Sequence, residues 1–520
     1  MPSNHATRLL IVGGALVLTA VIAGLPSPDA LSTAGQYAVA TMAFAAVLWV
    51  TGALPLPVTA LSIPIFLTGF GVYPEFGDAV AGFADPVIFL LLAGFVLAEA
   101  LQAHGIDRRI ALQVLVRFGT SARRLVLGVM VATALLSMVI SNTATVAMMV
   151  PIVLGIVESA ANVTAPGEGD SGDGTGEGPS NFQLAMLLGI AYAASLGGVG
   201  TLIGTPPNAI VVGQIDDLLG VEITFVDWLA IGLPLVVVTL PVAWVLLTYV
   251  VYPPAPFDVG RARAEAREHL DTMGALSARA RRTVAVFVAT AALWFLGGLG
   301  FLFESILPGE WFVTLFGGPG TSVFGTAGHE GVLFYVLVGL LAVPALVLSG
   351  ATAWEDLVDI DWGTLLLLGG GISLANALSD TNATEWLADV TLGSLSGAAI
   401  PVVILAVVGM VVLVGELASN TAMAALVAPL LVNIGPAYAG ALGTSGEVAA
   451  VLLAVTGAVA ASYGFALPVA TPPNAIVFGT GYVDREHMLR AGVLLDAVVI
   501  LLTTGVAYLL IRSVWPVVLG

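Results

Sequence analysis

Long apolar segments recur along the whole chain and are separated by short polar stretches. Nine of them run without a polar motif, at 8–26, 36–52, 57–73, 85–103, 229–252, 283–303, 331–349, 362–378 and 491–512. A helix needs about 20 apolar residues to cross a bilayer, so each segment predicts a membrane-spanning helix. The pattern therefore predicts an all-α polytopic membrane protein.

Four longer apolar blocks are each interrupted by a polar motif, and the motifs are of two kinds. A Ser-Asn-Thr tripeptide interrupts one block in each half of the chain, and a Thr-Pro-Pro-Asn motif interrupts the next. The tripeptides are Ser141-Asn142-Thr143 in block 122–160 and Ser419-Asn420-Thr421 in block 399–438, and the Thr-Pro-Pro-Asn motifs begin at Thr205 in block 182–215 and at Thr471 in block 448–484.

Their spacing indicates that the two halves of the chain are a repeat. Ser141 precedes its counterpart Ser419 by 278 residues, and Thr205 precedes Thr471 by 266. The difference of 12 is accounted for by the segment APGEGDSGDGTGEGPS at 165–180, which is acidic, rich in glycine and without apolar periodicity. Such a composition predicts a disordered loop inserted into the first half.

The distribution of arginine predicts how the halves are oriented, because cytoplasmic loops of membrane proteins collect basic residues. Five arginines lie in the loop before the first tripeptide block, whereas the matching loop 379–398 has none. Two follow the second Thr-Pro-Pro-Asn motif, whereas 216–228 has none. These residues are Arg108, Arg109, Arg117, Arg123 and Arg124, and Arg485 and Arg490. Equivalent loops on opposite sides predict an inverted repeat, which is typical of secondary transporters.

The arginine-rich stretch 255–282 constrains how the tripeptide blocks cross the membrane. It should also be cytoplasmic, and it is so only if 122–160 is a re-entrant hairpin that returns to its own side. The same reasoning makes 399–438 a hairpin that enters from outside, and 255–282 itself predicts an interfacial helix. We predict a multi-pass protein of the plasma membrane with a cytoplasmic N-terminus and an extracellular C-terminus.

Composition agrees with this class, since 58% of residues are hydrophobic and only 9% are charged. Arg8, the following apolar run and the small residues near Ala30 are also compatible with a signal peptide, but we favour a first membrane helix, which explains the same residues. The chain has no cysteine, which excludes disulfides and thiolate metal sites.

The charge balance is strongly acidic. All 15 basic residues are arginine, and 34 acidic residues give a formal net charge of −19. This balance argues against nucleic-acid binding and suggests a high-salt habitat, where screening weakens repulsion between surface charges.

The four motifs predict a polar site within the membrane. Irregular backbone is tolerated there only where it is buried in protein or lines a cavity. Proline removes donors and breaks a helix, so carbonyl groups before it, together with Ser, Thr and Asn oxygens, suit a small hard cation such as Na⁺. Helix N-termini beside the breaks suit an anion.

This predicted site contains no Arg, Lys or His. A buried dianion without a positive partner is strongly unfavourable, so the neutralising charge must arrive with it as bound cations. That requirement predicts symport. The alternative is that small and hydroxylated residues only pack helices together, but two register-matched pairs on oppositely oriented halves favour a functional site.

The paired motifs resemble those of the divalent anion/sodium symporter family, which includes sodium-dependent dicarboxylate and sulfate transporters. The resemblance extends from about residue 36 to residue 512. It implies about eleven spanning helices plus two re-entrant hairpins, a homodimer, and an elevator-type movement of a transport domain against a scaffold. The scaffold would be 1–121 and 253–378, including the interfacial helix, and the transport domain 122–252 and 379–520.

The resemblance also implies Na⁺ as coupling ion at two or more sites. The first site would use Ser141 and Asn142 with backbone near Gly204, and the Ser137 hydroxyl lies one helical turn before the motif. The second would use Ser419, Asn420 and backbone near Ala470, but the position equivalent to Ser137 is Gly415, which has no side-chain oxygen. Substrate carboxylates would contact the side chains of Asn142, Thr143, Asn420 and Thr421, with the turns Thr205-Pro206 and Thr471-Pro472 closing the pocket.

Four further polar positions lie within apolar segments. Glu416, close to the second tripeptide, either tunes a cation site, carries a proton, or bonds its own hairpin backbone. Glu99 and its repeat partner Asn376 are expected to be interhelical hydrogen bonders, and Asp496 a buried partner of a backbone group.

We therefore expect a transporter and not an enzyme: a Na⁺-coupled importer of a divalent anion, with a C4-dicarboxylate or related carboxylate favoured. One alternative is a Na⁺/H⁺ antiporter or oxyanion extruder, which would depend on a titratable group such as Glu416. Others are a sodium-independent anion exchanger and a membrane receptor or assembly protein.

Overall fold

The computed structural model describes residues 5–28, 30–118, 121–161, 179–255, 260–392 and 398–513. Residues 162–178, which hold most of the predicted loop insertion, lie outside these ranges. So do 393–397, in the loop before the second tripeptide block.

Helices dominate the first half of the described chain. They are α1 (His5–Gly24), α2 (Thr33–Thr51), α3 (Leu56–Gly69), α4 (Phe76–Ala79), α5 (Pro86–Ala103), α6 (Ile106–Phe118), α7 (Ala122–Ser137), α8 (Asn142–Ala161), α9 (Asn181–Gly198), α10 (Pro206–Leu219) and α11 (Phe225–Val245), which continues as a π-helix over Leu246–Val251.

The second half follows a connecting segment. Its elements are α12 (Gly260–Thr272), α13 (Ala278–Gly297), α14 (Gly309–Phe316), an antiparallel pair β1 (Gly318–Thr321) and β2 (Ala327–His329), α15 (Tyr335–Leu348), α16 (Trp362–Asp380), α17 (Ala383–Leu392), α18 (Ile400–Gly415), α19 (Asn420–Ile434), α20 (Ala439–Leu442), α21 (Gly446–Ala461), α22 (Pro472–Gly479) and α23 (Arg485–Ser513). Short 3₁₀ turns at Ala81–Ala84, Gly300–Leu302, Trp354–Asp356 and Gly435–Tyr438 join some of them.

The predicted fold class is confirmed. Within the described ranges, eight helices are long and apolar enough to cross a membrane: α1, α2, α5, α11, α13, α16, α19 and α23. The remaining predicted spans correspond to the shorter apolar helices α3 and α15 and to two broken helices, α9–α10 and α21–α22. Helix α19 belongs to a hairpin, because only residues 416–419 separate it from α18, against which it packs.

The centre of the molecule is formed by α9 and α21. Almost every residue of both helices is buried, and most are small or aliphatic, which lets neighbouring backbones approach closely. By contrast, α1 exposes large apolar side chains such as Leu10 and Val17, as a helix facing lipid does. The broken helices thus lie in the interior and the unbroken helix α1 lies at the edge.

The halves interlock through these inner elements. Helix α10 of the first half packs against α19 of the second, and α22 of the second packs against α8 of the first. Each broken helix therefore rests on the hairpin of the other half.

Two arginine-rich segments contact each other, as the predicted topology requires. Helix α6 packs against α12. Arg109 Nη2 donates to the carbonyl oxygens of Met273 and Gly274, at 3.3 and 2.5 Å, and Arg263 Nε donates to the Val116 carbonyl oxygen at 2.9 Å. Since both segments lie at the same end of the molecule, block 122–160 returns to the side from which it starts.

Acidic groups lie together at the N-terminal end of α5, opposite the end that leads to α6. Asp85 caps this helix, accepting a hydrogen bond from the Val87 N–H at 2.7 Å. Burial raises the pKa of the Asp85 carboxyl group to about 7, and the neighbouring carboxylate of Asp217 adds to the increase. Burial also raises the pKa of Glu222, in the loop before α11, to about 7.

The raised pKa values of Asp85 and Glu222 predict that the protein loses stability as pH rises from about 4 to about 7. In this window folded Asp85 keeps its proton while the unfolded chain, with an ordinary pKa of 3.8, releases it. Asp85→Asn retains the cap and removes the titration, so the fall in unfolding temperature between pH 5 and pH 8 should become smaller. Thermal unfolding in detergent measures the effect.

Glu447→Gln is the control, since Glu447 is an exposed carboxylate at the start of α21. It should leave the pH dependence as in the wild type. An Asp85→Asn variant whose unfolding temperature falls as much as that of the wild type would contradict the assignment.

Candidate functional site

The first tripeptide lies at the tip of the hairpin formed by α7 and α8. Helix α7 ends at Ser137, residues 138–141 form the tip, and α8 begins at Asn142. The Ser141 hydroxyl accepts a hydrogen bond from the Ala144 N–H at 3.3 Å and its carbonyl oxygen accepts from the Thr145 N–H at 2.9 Å, so Ser141 caps the helix. Asn142 and Thr143 follow at the N-terminal end of α8, where helix N–H groups favour an anion.

The predicted first cation site is brought together around this tip. The Ser137 hydroxyl is hydrogen-bonded to Asn142 Oδ1 and lies 2.8 Å from the Ala194 carbonyl oxygen of α9. The Asn142 side chain lies against Gly198, where a Cβ atom would come within 2.5 Å of Oδ1. A Cβ atom on Gly204 would lie 2.4 Å from the Gly198 carbonyl oxygen and 3.0 Å from that of Ser137. Hydroxyl, amide and carbonyl oxygens from three segments therefore converge, which is the donor set that Na⁺ prefers.

The second tripeptide also lies at a hairpin tip, between α18 and α19, but its side chains have different partners from those of the first. Ser419 precedes α19 and makes no side-chain cap hydrogen bond, and Asn420 is the first residue of the helix. Gly415 occupies the position of Ser137, and Asn420 Oδ1 is buried without a hydrogen-bond partner among the described residues. Ala470 and Thr471 lie near Gly464, where an added Cβ atom would be 3.1 Å from the Ala470 Cβ atom and 3.8 Å from Thr471 Cγ2, and among the described residues no hydrogen bond joins Ala470 to the second tripeptide.

The prolines begin the second part of each broken helix, and the irregular backbone lies before them. Residues 199–205 separate α9 from α10, and 462–471 separate α21 from α22. Pro206 and Pro472 are the first residues of α10 and α22. This placement differs from the prediction that proline interrupts the helix, because at a first helical position a missing N–H costs no intrahelical hydrogen bond.

Each break is closed by the asparagine that follows the prolines. Asn208 Nδ2 donates to the carbonyl oxygens of Gly198 and Thr201, at 3.0 and 2.8 Å. Asn474 Nδ2 donates to those of Gly464 and Leu467, at 3.1 and 2.9 Å. These asparagines were missed as site residues. The signal was present in the sequence, since each Thr-Pro-Pro motif is followed by Asn.

The predicted substrate residues differ in exposure. Thr143 and Pro472 are exposed, whereas Asn142, Pro206, Asn420 and Thr421 are half-buried. Thr205 and Thr471 are buried, and the Thr471 hydroxyl caps α22 by accepting from the Asn474 N–H at 3.3 Å. Among the described residues, the recorded hydrogen bonds of the tripeptides stay within their own half. The halves meet through the packing of α8 with α22 and of α10 with α19, and the joint substrate pocket stays a prediction.

Glu416 has partners that the sequence did not indicate. Its Oε1 and Oε2 atoms accept hydrogen bonds from the backbone N–H groups of Ala466 and Leu467, at 2.9 and 2.8 Å. The carboxylate thus connects the second hairpin to the second helix break, and not to the backbone of its own hairpin.

Glu99 and Asn376, which were predicted to form interhelical hydrogen bonds, have different surroundings. Asn376 Nδ2 lies 3.5 Å from Asp217 Oδ2, at the limit of an interhelical hydrogen bond. Glu99 instead lines a cleft of about 860 Å³ with His104, Arg279 and Asp359.

Gly415→Ser should strengthen the second site. A Cβ at this position would lie 3.6 Å from the Tyr463 carbonyl oxygen, an ordinary contact, so the side chain fits. Its hydroxyl should donate to Asn420 Oδ1 as Ser137 does to Asn142. One added hydrogen bond is worth about 1 kcal/mol, or about fivefold in Na⁺ affinity. The rise in unfolding temperature on replacing choline chloride with NaCl measures binding.

Gly415→Ala is the matched control, because it adds the Cβ and the helix propensity without the hydroxyl. Ser137→Gly should weaken the Na⁺ effect by a similar factor. Equal Na⁺ responses of Gly415→Ser and Gly415→Ala would show that the hydroxyl has no role in the site.

Comparison with known proteins gives a consistent result. A family model described as the transmembrane region of sodium:sulfate symporters matches residues 4–519. A protein of Staphylococcus saprophyticus named sodium-dependent dicarboxylate transporter SdcS is 33% identical over 514 residues, which cover 98% of this chain and 92% of that relative. A protein of the same name from Staphylococcus aureus strain USA300 is 31% identical over 516 residues, covering 98% and 91%.

A solved structure shares the overall fold. The YdaH transporter of Alcanivorax borkumensis, described as having an unusual topology, superposes with a TM-score of 0.54. The match covers 98% of this chain and 97% of the other at 16% sequence identity, which shows the fold alone.

Proposed function

Because the chain belongs to the sodium:sulfate symporter family, we propose that it is a Na⁺-coupled secondary transporter that imports a divalent anion, with a C4-dicarboxylate or related carboxylate as substrate. Two relatives that match nearly all of the chain are named sodium-dependent dicarboxylate transporters. The observation that carries the proposal is the clustering of Ser137, Asn142, Gly198 and Gly204, which supplies oxygen ligands without a basic side chain.

Charge sets the order of binding in this proposal. The four motifs contain no Arg, Lys or His, and the described groups that hydrogen-bond to them include none either. Two negative charges entering such a site would lose their hydration without gaining a positive partner. Na⁺ therefore binds first, beside Asn142 and Asn420, and the same two amides then donate to the substrate carboxylates together with Thr143 and Thr421. The turns at Thr205-Pro206 and Thr471-Pro472 form the remaining walls.

Transport then requires the loaded site to face the two sides of the membrane in turn. We assign the two hairpins and the two broken helices to a transport domain that moves against a scaffold in an elevator-like manner. The interlocking of α10 with α19 and of α22 with α8 supports this assignment, since it ties both sites into one packed unit. A homodimer held by the scaffold and an inverted relation between the halves complete the proposal, with the arginine-rich end in the cytoplasm.

The partners of Glu416 argue against the antiporter alternative. Such a protein would depend on a titratable group that exchanges its proton with solvent in each cycle. Glu416 is buried and both of its oxygens accept backbone hydrogen bonds, which is the arrangement of a structural carboxylate.

Uptake into proteoliposomes tests the function. Labelled succinate should accumulate when an inward Na⁺ gradient is imposed and should not accumulate when choline replaces Na⁺. Sulfate in the same assay distinguishes a carboxylate transporter from an oxyanion transporter. Robust accumulation of either anion in sodium-free medium would rule out the proposal.

Asn142→Ala and Asn420→Ala should each raise the Na⁺ concentration for half-maximal uptake and lower the rate. Loss of one ligand to an ion costs about 1.5–3 kcal/mol, which corresponds to roughly tenfold or more. Asn433→Ala is the matched control, because this asparagine lies at the other end of α19 and donates to the Pro429 carbonyl oxygen at 2.9 Å. Wild-type Na⁺ dependence in both tripeptide variants would show that these residues are wrongly assigned.

A further inference from the structure

The second helix of each hairpin contains a proline at the same distance from its tripeptide. These residues are Pro151 in α8 and Pro429 in α19. Because proline has no N–H, the carbonyl group four residues earlier in the helix loses its usual partner. The affected carbonyl groups are those of Ala147 in the first hairpin and Ala425 in the second. Each hairpin thus has one backbone acceptor that its own helix does not satisfy.

In the second hairpin this acceptor is bound by a side chain of the other half. Gln214 Nε2, from α10, donates to the Ala425 carbonyl oxygen at 3.4 Å. Gln214 is fully buried and Ala425 is buried as well. Within the described ranges, no other hydrogen bond joins α10 to α19. A carbonyl group of one half is therefore paired by a donor of the other half.

The first hairpin has no equivalent hydrogen bond. Thr480 occupies the place of Gln214 in the repeat, since each follows the first threonine of its Thr-Pro-Pro-Asn motif by nine residues. The Thr480 hydroxyl donates to the Val477 carbonyl oxygen of its own segment, at 2.6 Å. Ala147 is exposed, and no side chain of the described residues donates to its carbonyl oxygen. The hydrogen bond between a broken helix and the opposite hairpin thus exists on one side alone.

The other end of the Gln214 amide indicates that the donor is what this position supplies. Gln214 Oε1 is buried and has no hydrogen-bond partner among the described residues. A buried acceptor without a partner destabilises the folded state. An aliphatic side chain of similar size would fill the same space without this cost. The N–H group that reaches Ala425 is therefore the property that distinguishes glutamine here.

A continuous series of contacts leads from the first tripeptide to Gln214. The Asn142 side chain lies against Gly198, whose carbonyl oxygen accepts a hydrogen bond from Asn208 Nδ2 at 3.0 Å. Asn208 and Gln214 belong to the same helix, α10, and are separated by six residues, or about 9 Å along its axis. A helix this short moves as one body, so Gln214 follows the position of the first break.

The series continues from Gln214 to the second tripeptide. Ala425 lies in α19, which begins at Asn420, five residues or about 7 Å away. The bond from Gln214 to Ala425 is thus the point at which the two rigid segments are joined. The corresponding route from the second break to the first hairpin, through α22 and α8, is packed but lacks such a bond.

We propose that Gln214 is a positioning residue that couples the two cation sites, an inference that rests on the proposed function. A cation bound at Asn142 fixes the first break and, through α10, the position of Gln214. Gln214 then holds α19 so that Asn420 is placed to bind the second cation. Because such coupling is reciprocal, each cation increases the affinity for the other, and Na⁺ binds cooperatively.

Binding of labelled Na⁺ to the purified protein, displaced by unlabelled Na⁺, tests the coupling without requiring transport. The wild type should bind with a Hill coefficient above one. Gln214→Leu, which keeps the size and removes the donor, should reduce the Hill coefficient to about one. It should also raise the half-saturating Na⁺ concentration about fivefold, as expected for one lost hydrogen bond. Thr480→Val is the matched control and should bind as the wild type does. Non-cooperative binding in the wild type, or unchanged cooperativity in Gln214→Leu, would overturn the proposal.

A second variant separates coupling from simple satisfaction of a carbonyl group. Pro429→Ala restores the N–H that can pair with the Ala425 carbonyl oxygen inside α19. In the double variant with Gln214→Leu, the unfolding temperature should rise above that of Gln214→Leu, while cooperative binding should stay lost. If cooperative binding returned in the double variant, Gln214 would serve only to satisfy the carbonyl group, and the proposal would be wrong.

Uptake measured on the same samples separates this inference from the proposed function. A wild type that binds Na⁺ cooperatively but accumulates no anion would refute the proposed function and leave the coupling through Gln214 supported. A wild type that accumulates succinate with Na⁺ but binds Na⁺ without cooperativity would refute the coupling and leave the proposed function supported.

Discussion

A backbone group that loses its helical partner inside a membrane must find another, and this requirement shapes the centre of the protein. Two helices are broken there, and the freed carbonyl groups are taken up by Asn208 in one half and Asn474 in the other. The proline pairs set the start of the following helix without leaving an unpaired donor of their own. Because these hydrogen bonds satisfy the freed carbonyl groups, the backbone at the breaks can stay irregular without unravelling the helices around it.

Charge is the second constraint, and the halves meet it differently. The first tip gathers neutral oxygens, with Ser137 fixing the amide of Asn142. The second tip lacks that hydroxyl and leaves Asn420 Oδ1 without a partner among the described residues, but it has Glu416 beside it. The two tips thus differ in chemistry, with a hydroxyl beside the first amide and a carboxyl side chain near the second tripeptide.

Much of this architecture could be predicted from the sequence, because it depends on local patterns. Apolar length predicts the spans, arginine distribution predicts which ends lie together, and the Ser-Asn-Thr tripeptides mark the hairpin tips. The contact of Arg109 with the end of α12 agrees with the predicted hairpin.

What could not be predicted are contacts between distant segments. Glu416 bonds residues 50 and 51 positions away, so no local pattern pairs them. The strand pair β1–β2 was missed for another reason: it is short, rich in glycine and without apolar alternation.

Each broken helix packs against the hairpin of the other half, and this crossed packing has a consequence for how the two halves can move. Helix α10 rests on the second hairpin and α22 on the first, so neither tip can change its neighbours while the other stays in place. A carrier built from two independent sites could slip, releasing one ion without its companion and dissipating the gradient. Under the proposed function, the crossed packing ties any movement of one hairpin tip to movement of the other, so that loading of one site alone would be unproductive.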